Sequence, residues 1–413
     1  MSAIETIGRW LVLLLPLAIM ATRAGADAMI AAVAGLFLLR SWRAREWDWT
    51  RHWLVWLSAA WWGWVIVCSL PGLGQGGVKS LLQAVAMGRY LLFVVALWLW
   101  LLREATMRRR LAIMLALVAG WIILECWQQY LLGSNIVGDQ RWMDGALTGP
   151  FHAPRAGPEL VLILFPAILP GALWLLNDGR WWRRALGAAW FALGILTMVL
   201  IGQRMPALLT GLGLVVCSLV LPPLRRAALA TMAAALLLVA ATPVLSPPTF
   251  HKLVVHFSQQ MRHFPRSDYG QLYIRATVMG LDNPWTGLGF DGFRDHCHDA
   301  RYEHGLPGLG IQDSAARSPG ACNIHPHNHY LEALTEGGFP GLALFAALVL
   351  GWWWTLARGL ARGDPVQASC FIASVLAFWP LASTSALFTL PIAGWIFLVL
   401  GLGLGATRVS PAG

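Results

Sequence analysis

Five consecutive residues, His325-Pro326-His327-Asn328-His329, make the densest cluster of histidines in this 413-residue chain. An unperturbed imidazole titrates at about 6.5, so it can take up a proton near neutral pH. The proline reads as a helix-entry signal. A helix opening near Pro326 would carry His327 in its first turn, with Asn328 capping that turn or orienting a neighbour. Leu331 and Leu334 would pack it down, and Gly337-Gly338 would end it. Three uses of the cluster compete: solvated histidines at an interface, a structural metal site, or a general base. Zinc ligands usually recur at i,i+4 or recruit cysteine and acids, whereas i,i+2 spacing turns three rings to different sides of a helix. No metal site is expected.

Three arginines stand apart from the rest. Arg204 lies in IGQRMPALLTGL between apolar runs, Arg275 in YGQLYIRATVMGL, and Arg89 in AMGRYLLF. Such placements are costly, and a guanidinium offers a planar fork of donors matched to phosphate oxygens. Converging near one membrane surface, they would hold a pyrophosphate headgroup whose lipid tail stays in the bilayer. The plainer reading is that they snorkel or bridge helices. Arg141 and Arg155, in DQRWMDGALTGPFHAPRAG, would line the same cavity or be simple loop charges. Asp27 is the one acid in the first external turn and reads as the N-cap of the second span. No phosphate loop, dinucleotide fingerprint, nucleophile elbow or HExxH motif is present.

These side chains need membrane-embedded elements to hold them. The chain is 57% hydrophobic and 12% charged, with a mean hydropathy of +0.60; a soluble domain carries roughly twice that charged fraction. Apolar runs of about 20 residues, enough for ~30 Å of hydrocarbon, recur along almost the whole length. Runs such as LLFVVALWLWLL are continuous, which excludes a β-barrel and leaves an all-α, polytopic membrane helix bundle. The formal net charge is +10. Its arginine clusters (Arg40/Arg43/Arg45, Arg103/Arg108/Arg109/Arg110, Arg180/Arg183/Arg184, Arg225/Arg226, Arg358/Arg362) fall in short connections on one side, the pattern of cytoplasmic loops. Their dispersal among membrane anchors argues against nucleic acid.

About twelve transmembrane helices are predicted, over 5–21, 26–40, 53–70, 81–102, 111–132, 159–176, 185–203, 206–222, 227–245, 339–357, 367–385 and 390–406, with both termini cytoplasmic. The first apolar run lacks a small-residue cleavage site and reads as a retained span. The resulting division is a bundle of about nine spans in 1–245, one large, mostly helical periplasmic loop domain in 246–336, and about three further spans in 337–413. Within the loop, 250–264 reads as an amphipathic surface helix and 269–281 as a second helix stopped by Asn283-Pro284. WTGLGFDGF reads as a glycine-rich turn, FRDHCHDARYEHG as a short helix, and LPGLGIQDSAARSPGACNI as an irregular loop or lid. Cys297 and Cys322 flank this region, and an oxidising periplasm permits a disulfide between them. Cys68, Cys126, Cys217 and Cys370 sit in apolar runs as inert fillers.

Taken together, the residues resemble the bacterial O-antigen ligases, within a larger ligase–polymerase superfamily of polysaccharide assembly. His327-Asn328, nine residues, then Gly338-Phe339-Pro340-Gly341 match the family's histidine signature. Arg204-Met205-Pro206-Ala207-Leu208 matches its Arg-x-x-x-Leu element. Arg275, followed by NPWTGLGFDGF, looks like its second arginine ahead of a Pro-x-x-Gly-x-Gly turn. Met279 stands where leucine would complete Arg-x-x-x-Leu at Arg275, so that element is placed at Arg204. The topology is shared too, so the resemblance covers most of the chain.

The resemblance implies a glycosyltransferase of the bacterial inner membrane, acting in lipopolysaccharide biosynthesis on the periplasmic side. It would move a glycan from undecaprenyl pyrophosphate to a lipid A–core hydroxyl, without metal or other cofactor. His327 would be the base and Arg204 and Arg275 the catalytic arginines, with Arg89, Arg141, Arg155, His325 and Asn328 as further substrate contacts. One rival is a polysaccharide polymerase of the same superfamily. A second is a transporter or flippase of lipid-linked sugar, which the lack of an internal repeat and the external clustering of the unusual arginines disfavour. A non-catalytic scaffold is the blandest reading.

Overall fold

The computed structural model describes residues 3–407 except 74–75, 312–321, 359 and 361–362. These residues are all-helical, with two isolated bridge pairs and no strand among them. Among the described residues, eight helices are long and apolar enough to cross a membrane. They are α1 (Ala3–Ala21), α2 (Arg23–Ala44), α4 (Val78–Ala96, continued by a π-helical turn over Leu97–Leu101), α5 (Ala105–Leu132), α6 (Ala156–Leu176), α7 (Trp181–Ile201), α9 (Arg225–Leu245) and α14 (His329–Ala357). Four shorter apolar helices occupy the other expected spans: α3 (Trp53–Cys68), α8 (Arg204–Val220), α15 (Pro365–Ala377) and α16 (Ile392–Ala406).

Local chemistry sets the helix ends. α5 stops at Gly133 and α7 at Gly202, both at positive φ (88° and 76°), where glycine carries no Cβ penalty. α15 opens on Asp364, whose carboxylate accepts from the amides of Val366 and Gln367, with Pro365 in its first turn. At α2 the expected cap is corrected. Thr22 caps the helix by accepting from the Gly25 amide, because the α1–α2 turn is a single residue wide. Asp27 lies inside the helix instead.

α16 is buried at every residue and packs against α4, α6 and α15, the place for a helix that is apolar all round. α14 runs along α3 and under the outer segment. The span expected over 367–385 ends early, at Ala377, and 378–391 is an irregular connection. Pro380 disfavours helical geometry at Trp379, and Ser383-Thr384-Ser385 offers side chains that compete for the backbone.

Between α9 and α14 the chain builds a second, smaller apolar core around Leu272, Val278, Met279, Leu288, Phe293 and Tyr302. The surface helix expected over 250–264 is present as α10 (Pro247–Phe250), a π turn over His251–Val255 and α11 (His256–Arg262). α12 (Asp268–Asp282) is capped by the Ser267 hydroxyl and ends just ahead of Pro284. α13 (Gly292–His296) follows the glycine-rich turn. Most of the expected lid loop, 312–321, lies outside the described residues, as do Arg362 and the tail from 408.

Candidate active site

The histidine cluster forms an elbow, not a helical turn. α14 starts at His329, two residues after His327, because Asn328 is the stronger cap: its side-chain oxygen accepts from the amides of Tyr330 (3.0 Å) and Leu331 (3.1 Å). Its amide nitrogen donates to the carbonyls of Pro380 (2.7 Å) and Ala382 (3.2 Å), clamping the elbow to the α15–α16 connection. His327 itself sits at φ 56°, left-handed, and cannot belong to the helix. This corrects its expected place in a first helical turn.

That geometry assigns the ring. Nδ1 of His327 lies 3.1 Å from the Thr384 carbonyl, which can only accept, so Nδ1 carries the hydrogen and Nε2 keeps its lone pair. The Asn323 amide nitrogen approaches Nε2 at 3.5 Å. The His325 ring meets that of His327 edge-on at 4.1 Å and the Tyr269 ring does so at 5.4 Å. Two of the three histidines therefore converge, while His329 turns away against Phe378. Burial, reinforced by the His325 ring, pulls the His327 pKa down to about 4, against the opposing pull of the Thr384 carbonyl. His327 is thus neutral at physiological pH. Beneath the elbow, Glu332 accepts from the Leu387 amide at 3.1 Å and Glu336 from the Asp291 amide at 3.2 Å.

The two glycine motifs meet directly below. Gly338 breaks α14 with φ 63° and ψ −163°. The break strands helical groups: Phe339 turns its amide away, and Pro340 has none to give to Glu336. The turn after Pro284 takes them up. Leu288 N donates to Thr335 O (2.8 Å), Gly289 N to Glu336 O (3.0 Å) and Phe339 N to Pro284 O (2.8 Å). So close an approach requires bare backbone on both sides.

The arginines fall into separate neighbourhoods. Arg204 opens α8, a helix whose preceding residue Gln203 provides no side-chain cap, and donates to the Gln260 side chain on α11. A cation in the first turn of a helix opposes the helix dipole. Lys252 stands nearby, paired with Asp144; burial lowers its pKa and the charge of Arg204 adds to this, offset by Asp144. Arg141 donates to Gly145 O and Ser246 Oγ, both at 3.2 Å, and stacks over Tyr130. Arg141 and Lys252 thus both bind the 144–145 turn, and Arg204 lies close enough to Lys252 for the two charges to repel. Lys252 went unnoticed in the sequence because a single lysine on an amphipathic face carries no signal.

Arg89 is bound to Asp27 (2.8 and 2.9 Å), which also accepts from the Tyr90 hydroxyl, and it bridges α4 to α2. The Tyr90 ring rests on Phe388 of the α15–α16 connection, 5.6 Å between centroids. Arg155 is exposed at the start of α6. Arg275 is buried, 3% exposed in its side chain. It donates to the Cys297 carbonyl at 2.8 Å and faces Glu303 at 3.9 Å. Among the described residues, no direct hydrogen bond joins His327 to any of these arginines. They are linked instead through the outer segment, which contacts Arg204 at Gln260 and His327 at Tyr269.

Cys297 and Cys322 are joined by a disulfide, 25 residues apart in sequence. It ties the carbonyl that receives Arg275 to the segment that leads through Asn323 to His327. The metal-compatible trio Cys297, His298 and Cys322 has both thiols committed to this bond. Closing a ring of that length constrains the unfolded chain by about 3 kcal/mol. Reduction, or Cys322→Ser, is expected to destabilise the outer segment by about that amount, seen as faster limited proteolysis within 246–328 while the apolar helices stay protected.

Residues 189–346 match the family model described as O-antigen ligase. The match spans α7 to the first half of α14, so it contains Arg204, Arg275, both glycine motifs and the histidine elbow. No curated protein sequence matches the chain significantly.

Proposed function

From the membership of residues 189–346 in the O-antigen ligase family, whose ligases and polymerases are membrane glycosyltransferase-like enzymes, we propose that this multi-pass membrane protein transfers a glycan from undecaprenyl pyrophosphate to a lipid A–core hydroxyl. The eight long and four shorter apolar helices are read as twelve spans of the bacterial inner membrane, with both termini cytoplasmic and the 246–328 segment periplasmic. One observation carries the chemistry: His327 is neutral, its Nδ1–H is held by the Thr384 carbonyl, and Nε2 remains as the acceptor.

In this reading the donor pyrophosphate lies against Arg204, Lys252 and Arg141, at the open N-terminus of α8, where helix amides and cations together favour an anion. The repulsion between Arg204 and its own helix dipole is relieved when that anion arrives. Arg89 and Arg155 add positive potential around the donor. Arg275 holds the Cys297 turn, and its guanidinium reaches the leaving group only if that turn opens. The acceptor hydroxyl gives its proton to His327 Nε2 as its oxygen bonds the anomeric carbon. The bond to pyrophosphate breaks on the opposite side, with inversion. His325 and Asn328 keep the base in place.

The deciding experiment is reconstitution of the purified chain with lipid-linked glycan and lipid A–core, in a chelator and with no metal added. Product formation is expected. Failure that a divalent ion repairs would remove the metal-free mechanism. Extension of one lipid-linked glycan by another, with no transfer to lipid A–core, would assign the protein as a polymerase.

The histidine also sets a pH dependence. Its pKa is lowered, so the lone pair is lost only as pH falls through about 4. The acid limb of kcat/KM, which reports the free enzyme, is expected there and not near the ordinary value of about 6.5. Bound pyrophosphate brings negative charge, so the acid limb of kcat should lie higher. A kcat/KM limb at the ordinary value would mean that His327 is solvated in the free enzyme.

A further inference from the structure

At the far end of the bundle lies a cavity that glycan transfer does not use. α3 fixes its position: Ser69 at one end of this helix accepts from the Phe290 amide of the outer segment, while His52 at the other end lines the cavity. The cavity measures about 370 Å³ and sits between the end of α2, the 3-10 turn Asp48–Arg51 and the end of α4. Its rim holds Arg40, Arg51 and Arg103 with Glu46 and Asp48. Arg40 is taken by Glu46 at 2.5 Å and Arg51 faces Asp48 at 3.4 Å. Glu104, the acid beside Arg103, is bound by Arg9 instead. Among the described residues Arg103 has no acidic partner, so the rim keeps one positive charge in excess.

The floor is aromatic. Phe37 packs on Trp49 at 5.2 Å, and His52 meets Trp98 edge-on at 4.4 Å. Trp98 in turn is buried where α3 packs on α4, among Leu54, Leu91, Val94 and Val95, and closes the inner side of this aromatic layer. The π turn over Leu97–Leu101 widens α4 at this point and brings Leu99 and Arg103 to the cavity; such turns concentrate at functional sites. A cluster of arginines that only orients a membrane protein needs no concavity between them.

We propose that this cavity binds the phosphate diester headgroup of an anionic glycerophospholipid from the cytoplasmic leaflet. Arg103 supplies the free guanidinium fork. The site is independent of the transfer reaction and stands whether or not that reaction is correctly assigned.

Native mass spectrometry of the full chain in neutral detergent tests it, with phosphatidylglycerol, phosphatidylcholine, glycerol 3-phosphate and inorganic phosphate offered in turn. Phosphatidylglycerol should be retained and phosphatidylcholine lost. Arg103→Gln should weaken retention roughly fivefold, the worth of one basic side chain near an anionic lipid. Arg109→Gln, an exposed arginine outside the cavity, should leave it unchanged. If Arg103→Gln does not fold, competition on the unaltered protein decides: unlabelled phosphatidylglycerol must displace labelled lipid, and phosphatidylcholine must not. Equal retention of both lipids, or equal losses at Arg103 and Arg109, overturns the site. Displacement by glycerol 3-phosphate or phosphate at matching concentration overturns the lipid assignment in favour of a soluble anion.

Discussion

Replacing His327 with alanine is expected to slow glycan transfer roughly 10²- to 10⁴-fold, the usual worth of a positioned general base, while the protein still inserts and still binds its donor. The expectation follows from what the side chain does and does not hold up. The elbow is built by backbone and by Asn328: Thr384 N donates to the His327 carbonyl, and the Asn328 side chain both caps α14 and grips Pro380 and Ala382. Removing the imidazole leaves these bonds in place. Alanine is less comfortable than histidine or asparagine at φ 56°, so His327→Asn, which tolerates that geometry, serves as the second variant. Both should lose turnover with donor affinity kept, because the base acts in the transition state. Transfer at the unaltered rate in either variant removes His327 from the mechanism.

The bundle was legible from the sequence because long apolar runs have one solution in lipid, and the expected positions of the helices follow those runs. The outer helices were legible too: Asn283-Pro284 stops α12 where expected. The end of α15 was not, because Pro380 and the Ser383-Thr384-Ser385 run interrupt a stretch whose average composition remains apolar. The histidine elbow was visible as a cluster but not as a geometry. Its left-handed residue and its partner Thr384, 57 residues away, depend on a tertiary contact that no local spacing encodes. The arginines illustrate a harder limit. Arg89, Arg204 and Arg275 look alike in sequence, yet one is tied to Asp27, one opens a helix beside Lys252, and one is buried against Cys297. Which acid or carbonyl reaches a guanidinium first is decided by packing.

The second large effect is expected at a residue with no side chain. Gly287→Val should cut transfer about a hundredfold, the cost of roughly 1 Å of misplacement in a catalytic group, even though Gly287 touches no reacting atom. Gly287 sits at φ 60°, and a Cβ there would lie 2.6 Å from the Glu336 carbonyl carbon and 2.7 Å from the Gly337 amide. Those are rigid backbone atoms, so the turn must lift away from α14. Lifting it unmakes the bonds that satisfy Thr335 O, Glu336 O and Phe339 N around the Gly338 break, each worth about 1 kcal/mol. A β-branched residue at positive φ adds roughly 1–3 kcal/mol of strain. The first turns of α14 then lose their brace, and these turns carry Glu332, which holds the Leu387 amide, next to the Asn328 clamp on the loop that orients His327. Thr286→Val, one residue away and without that close approach, should stay within a few-fold of the unaltered rate. Comparable rates for the two variants would show that the glycine turn and the histidine elbow are mechanically independent, and that the pairing of the two motifs serves something other than aiming the base.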